Sequence, residues 1–246
     1  MNSRVILVSD DRSSLRSPDT LLWPDAACMR GIHTGEWTAH IFEYAMSFEG
    51  NMTQVRELAA ANGVGVLHPH GALATDPPGL IVCDVDSTVT RTEAIDLLAE
   101  CAGNADEVRE ITARAMVGEL DFTQSLYARV RCLEGLHIGA LEEAWKATVI
   151  TPGTAELVAA AHDVGAAVGL VSGGFTAIVD PLAEQIGADF AASHELEIVD
   201  DHLTGRVVGD IIDRAAKATW LRRWASERGV ALERTIALGD GANDLD

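Results

Sequence analysis

Asp84-Val85-Asp86-Ser87-Thr88 sets two carboxylates one residue apart, directly after the apolar run Leu80-Ile81-Val82-Cys83. A carboxylate at the edge of an apolar core is costly to hold unless something offsets its charge. These two follow a strand that reads as buried on both faces, at the end where open α/β sheets bind ligands. Their expected partners are therefore a metal ion and a substrate. Two more apolar strands run out into polar, glycine-rich turns. Ser172-Gly173-Gly174-Phe175 follows Ala166–Val171, and Gly239-Asp240-Gly241-Ala242-Asn243-Asp244 follows Thr235–Leu238. Parallel strands bring all three ends to one edge of a sheet. Glycine there lets the backbone approach a ligand closely, and Lys217 stands near the start of the helix expected over 214–228. Taken singly, Ser172 is an ordinary turn or cap serine, and Lys217 an ordinary solvated lysine. Their order along the chain, each at a strand end or helix start, is what gives them weight.

The elements that must position these residues follow from hydrophobic periodicity. Residues 4–8, 38–48 and 64–67 read as strands and 53–62 as a short helix, with polar and proline-containing loops filling the chain to about residue 35. They form a small α+β unit that ends at Asp76-Pro77-Pro78-Gly79. His68 and His70 near its end read as a solvated loop rather than a metal pair. After Asp86 the pattern turns helical for some 55 residues. Val108, Ile111, Ala115 and Met116 recur at helical spacing, as do Phe122, Leu126, Val130 and Leu133, with Gly118 between the two sets and Asp121 in a first turn. Phe122 and Arg129 lie seven apart, which two turns bring to one face. Arg129 then either packs its stem and sends its head to water or reaches a buried anion; spacing leaves both open. From Thr151 a βα rhythm returns: helices over 154–162 and 176–186, a strand and hairpin over 190–209, then the helix of Lys217 and a last strand. Alternating strands and helices predict an α/β fold, a Rossmann-like parallel sheet with a helical cap, preceded by the small α+β domain.

The 246 residues, 48% hydrophobic and 23% charged, match one large or two modest globular domains. A formal net charge of −20 argues against nonspecific nucleic-acid or anionic-membrane binding. An anionic substrate then needs local cations to overcome the overall field. Cys28, Cys83, Cys101 and Cys132 are scattered without a CxxC pair, which reads as reduced thiols in a cytoplasmic protein. No apolar run approaches the ~20 residues of a membrane span, and the opening Val5-Ile6-Leu7-Val8 is too short for a secretory signal.

Together, the aspartate pair, Ser172-Gly173-Gly174-Phe175, Lys217-Ala218, the glycine-rich turn at Asp240, Glu93 and the stretch Asp121–Leu126 with Arg129-Val130 resemble the haloacid dehalogenase-type phosphatases. The detail resembles the phosphoserine phosphatases among them. The resemblance covers about residues 78–246 and implies a helical cap over about 92–150. The first 76 residues look somewhat like the amino-acid-binding modules found in front of some relatives. The resemblance implies Asp84 as nucleophile and Asp86 as general acid and base. It gives Mg²⁺ to the Asp84 side chain, the Asp86 backbone carbonyl and the Asp240 side chain, with Asp244 in support. Ser172, Gly173, Lys217 and Asn243 would hold the phosphate. Arg129 would pair with the substrate carboxylate and Glu93 with its ammonium, while Met116 and Phe122 shield the bound serine; plain helix packing accounts equally well for those last two. A helix and at least one further strand are expected beyond Asp246, so the chain reads as truncated. The implied activity is Mg²⁺-dependent hydrolysis of O-phospho-L-serine in serine biosynthesis, with a homodimer as a candidate assembly. The alternatives are a phosphatase or phosphotransferase acting on another small phosphomonoester, or an amino-acid sensor carrying an inactive phosphatase fold.

Overall fold

The structure, a computed structural model, describes residues 3–9, 27–33, 38–44 and 52–241. The chain divides into two compact units, Met1–Asp76 and Pro77–Asp246. In the first, strands β1 (Ser3–Ser9), β2 (Ala27–His33), β3 (Thr38–Tyr44) and β4 (Gly65–Leu67) form an antiparallel sheet in the order β2-β3-β1-β4. Helix α1 spans Met52–Ala61. Strand β2 corrects the expectation of loop through residue 35. Its residues, Ala-Cys-Met-Arg-Gly-Ile-His, lack clean alternation, and it exists through its ladder to β3, shifted by a bulge between Cys28 and Arg30. A strand held by its partner more than by its own composition leaves little trace in a local pattern.

The second unit holds a five-stranded sheet in the order β8-β7-β6-β5-β9, formed by β5 (Leu80–Cys83), β6 (Ala167–Phe175), β7 (Phe190–Val199), β8 (His202–Val208) and β9 (Thr235–Leu238). All neighbours are parallel except β7 and β8, which make a hairpin. Its tight turn has Asp200 and Asp201 at positive φ, the twist two-residue hairpins favour. Every residue of central β5 is buried. Burying a side chain such as Leu80 contributes about 1.5–3 kcal/mol, and so anchors the strand that must hold the aspartates.

Helices α6 (Thr154–Asp163), α7 (Thr176–Ile186) and α8 (Arg214–Glu227) flank the sheet. Between β5 and α6 lie α2 (Ala94–Ala102), α3 (Ala105–Met116), α4 (Phe122–Arg131) and α5 (Gly139–Ala147). The segments entering and leaving this helical set meet at a Thr90–Ile150 bridge. Its apolar faces, among them Leu98, Val108, Leu126 and Val130, share one core with Phe175 and Ile178 of the sheet unit and with Leu196 and Leu203 of the hairpin. Helix α4 starts with a capping box. Asp121 accepts from the Gln124 N–H at 2.8 Å, and Gln124 Oε1 accepts from the Asp121 N–H at 3.0 Å. Caps of this kind contribute about 1 kcal/mol and fix where the helix begins. Among the described residues no helix is long and apolar enough to cross a membrane.

Candidate active site

Strand register decides which side chains meet. Cys83 pairs with Leu170 on one side and with Leu238 on the other. Asp84, the Ser172 segment of β6 and the turn at Asp240 therefore lie side by side along one edge of the sheet. They border a cleft of about 430 Å³ whose walls include Asp84, Asp86, Gly173, Lys217 and Asp240. Glu93, Phe122 and Arg129, from the helical insertion, line the same cleft.

Asp84 and Lys217 form a close ion pair, Nζ to Oδ1 2.8 Å, with side chains only 8% and 11% exposed. Lys217 is delivered by α8, whose first turn is capped by Asp213 accepting from the Ala216 N–H at 2.8 Å. A buried pair of this geometry holds a carboxylate charged and aimed.

Asp86 sits differently. Its Oδ1 accepts from the Ala94 N–H at the start of α2 (2.9 Å), and its Oδ2 from the Ser172 hydroxyl (3.3 Å). Burial, with the charges of Glu93 and Asp84 acting in the same sense, raises its carboxyl from 3.8 to about 6 against those two hydrogen bonds. Neighbouring carboxylates with such different surroundings suit different roles, one charged and one able to carry a proton.

The Ser172-Gly173-Gly174 segment is not a turn that follows its strand; it is a bulge within β6. Val171 pairs with Ala192 and Phe175 with His194, so three residues on β6 face only Ser193 on β7. Re-pairing at Phe175 was hidden in the sequence behind the two glycines. Ser172 is fully buried, its hydroxyl also accepting from the Gly174 N–H at 2.8 Å. Gly173 leaves room for Phe122, whose Cζ would lie 3.3 Å from a Cβ there.

Across the cleft, Arg129 follows Phe122 by two turns of α4. Burial lowers the Arg129 pKa while Glu93, Asp96 and Asp86 oppose that shift; so basic a group stays charged. Its Nε donates to the Ser125 carbonyl at 3.4 Å, and the acidic groups Glu93, Asp96 and Asp86 act on its charge. Ser87 donates to Glu93 Oε1 at 2.5 Å from a left-handed backbone, φ 59°. Ser87 and Gly174 are contributors that sequence reasoning missed, although both stand inside motifs it quoted.

Met116 departs from expectation. It ends α3 with 84% exposure and does not line the cleft. Its helical spacing from Ile111 carries it to the last residue of the helix. Asn243 and Asp244 lie outside the described residues. His68 and His70 stand 6.3 Å apart in a polar loop, and among the described residues no group of three His, Cys, Asp or Glu side chains is assembled to hold a metal.

A family profile described as haloacid dehalogenase-like hydrolase matches residues 81–246. The chain belongs to this family. A haloacid dehalogenase-like hydrolase of Streptomyces coelicolor named phosphoserine phosphatase is 51% identical over 188 residues, 76% of this chain and 46% of that protein. The phosphoserine phosphatase of Streptococcus thermophilus is 50% identical over 167 residues, 68% of this chain and 78% of that one. The solved phospho-aspartyl intermediate analogue of a phosphoserine phosphatase matches with TM-score 0.65 and 40% identity over 69% of this chain and 81% of that one. The chain spans about half the length of the Streptomyces relative.

The donor set of this haloacid dehalogenase-like site suits a hard divalent cation. The Asp84 and Asp240 carboxylates line the cleft with Asp86, and Asp240 Oδ1 accepts from the Thr88 hydroxyl at 3.4 Å. Mg²⁺ is bound through one or two carboxylates with several retained waters, so it needs no larger protein cage.

Proposed function

We propose that this hydrolase converts O-phospho-L-serine to L-serine and phosphate, through transfer of the phosphoryl group to Asp84. The observation that carries this reading is the buried Asp84–Lys217 ion pair beside Asp86, whose carboxyl is raised to about 6, in one cleft. A carboxylate nucleophile divides one difficult displacement into two easier ones. Asp84 attacks phosphorus, and the bond from phosphorus to the serine oxygen breaks. Asp86 gives that oxygen its proton, then takes one from the water that cleaves the aspartyl phosphate. The incoming dianion favours the protonated form of Asp86 further. Lys217 and the Gly173 amide face the charge that spreads over the phosphoryl oxygens. Asp84, Asp240 and the Asp86 carbonyl would hold Mg²⁺, which would supply the positive charge that lets two anions meet.

The amino-acid end of the substrate is read by the insertion. Arg129 offers a planar fork to the carboxylate, Glu93 receives the ammonium with Ser87 holding it in place, and Phe122 covers the serine carbon. In this reading residues 78–246 form the phosphatase domain with a cap over about 92–150, and residues 1–76 a separate small α+β module. The names of the relatives point to the same substrate.

The test is phosphate release from phosphoserine, with Mg²⁺ and with EDTA, beside a panel of phosphomonoesters and an alcohol acceptor. Mg²⁺-dependent release that favours phosphoserine is expected. Equal rates across the panel, or transfer to the alcohol in preference to water, would overturn the assignment.

A further inference from the structure

His194, on β7, is 1% exposed, and both of its ring nitrogens are engaged by backbone. The Ile212 N–H lies 2.8 Å from Nε2, and the Gly173 carbonyl 3.0 Å from Nδ1. A backbone N–H can only donate and a carbonyl can only accept. These partners assign the imidazole: neutral, with its proton on Nδ1. Beyond it the series continues. The Gly173 carbonyl belongs to the same peptide as the Gly174 N–H, which donates to Ser172 Oγ at 2.8 Å. The Ser172 hydroxyl in turn donates to Asp86 at 3.3 Å. Four donors thus point the same way, from Ile212 to the carboxylate, and aligned hydrogen bonds polarise one another in a dry interior. Ile212 also stands two residues before Arg214, where the helix of Lys217 begins.

We propose that His194 is a positioning residue for phosphoryl transfer. It fixes the Gly173–Gly174 peptide, and through it the Ser172 hydroxyl on Asp86, while tying that bulge to the backbone leading into α8. The proposal rests on the phosphatase reading above and adds to it a residue from a strand that none of the motifs includes. His194 touches neither phosphate nor serine; it acts through the bulge.

The two hydrogen bonds can be separated by substitution. In His194→Asn the amide nitrogen matches Nδ1 and still donates to Gly173. In His194→Gln the amide oxygen matches Nε2 and accepts from Ile212 only. His194→Ala and His194→Gln are expected to lower kcat on phosphoserine about 10–100-fold, and His194→Asn no more than about threefold, with KM within about threefold throughout. The same losses are expected on phenyl phosphate, because the phosphoryl end is what His194 serves. Equal losses in Asn and Gln, or a loss confined to KM for phosphoserine, would overturn the proposal. Thermal melts accompany each variant; should the alanine form fail to fold, the Asn-against-Gln contrast still decides. Failure of the phosphatase reading would look different, with the unaltered protein releasing phosphate from neither ester. In that case ¹⁵N spectra of the imidazole decide. The Nδ1–H tautomer is expected to persist unchanged between about pH 5.5 and 8, and an Nε2–H or titrating ring would remove His194 from the series.

Discussion

A Cβ on Gly174 would stand 2.6 Å from Asp86 Oδ2 and 3.0 Å from Ser172 Oγ. Gly174 is required here by the closeness of a carboxylate, not by its own backbone angle. Gly174→Ala must push Asp86 or Ser172 aside. We expect kcat on phosphoserine to fall about 100-fold, with a stability loss of about 1–3 kcal/mol from overpacking. Steady-state kinetics beside urea unfolding checks both; an alanine variant with ordinary kcat would mean that the Asp86 position is not critical.

Asp84 and Lys217 are expected to respond to substitution in different ways. Asp84→Asn removes the attacking oxygen and should abolish turnover, with no phosphoenzyme trapped by acid quench from labelled phosphoserine. Lys217→Met leaves Asp84 buried without that partner, and removing one member of a buried pair costs about 3–5 kcal/mol. The metal-free Lys217→Met protein should therefore melt well below the metal-free parent, and divalent cation should recover part of the difference. A melt unchanged by the substitution would show that the pair contributes nothing to stability.

In the proposed reading Arg129 and Glu93 serve specificity. Arg129→Ala should raise KM for phosphoserine about 10–100-fold while phenyl phosphate, which has no carboxylate, changes by less than about threefold. Ser87→Ala should give a smaller loss in the direction of Glu93→Gln, because it frees the carboxylate that Ser87 holds at 2.5 Å. Equal losses on both esters would show that neither residue reads the amino-acid end.

Asp189 provides a test of stability away from the cleft. Burial works against its charge. The Val168 N–H at 2.8 Å, His162 at 3.0 Å and Arg228 outweigh it and hold the carboxyl below its ordinary 3.8. A carboxylate with a lowered folded pKa stabilises the fold above its unfolded value, and that stability is lost as pH falls through the folded value. Asp189→Asn should cost about 1–3 kcal/mol at pH 7. The gap between variant and parent should narrow progressively once the pH drops below 3.8. A gap that stays constant down to pH 2 would mean that its charge plays no part.

Much of the second unit was legible in the residue pattern because it is built from strong local signals. The run Leu80–Cys83 is unbroken and buried, and the limits expected for the α7 helix and for β9 agree with those observed. β2 was invisible, since its ladder to β3 is made between chain segments and owes little to its own composition. Met116 was misplaced because periodicity says which residues share a face, not where the partner of that face ends.

Residue types and their spacing set carboxylates at a strand end, glycines beside a serine and a lysine at a helix start along one sheet edge, and the resemblance of that ordered set to a known family implied phosphoryl transfer. Only the folded molecule decided how these groups divide the work. One aspartate is charged against Lys217, while its neighbour is desolvated and raised to about 6. His194, far from every motif, is brought behind the Ser172–Gly174 bulge. The physical reason is that a side chain's type is local, whereas its solvation, its proton and its hydrogen-bond partners are properties of whatever the fold packs around it.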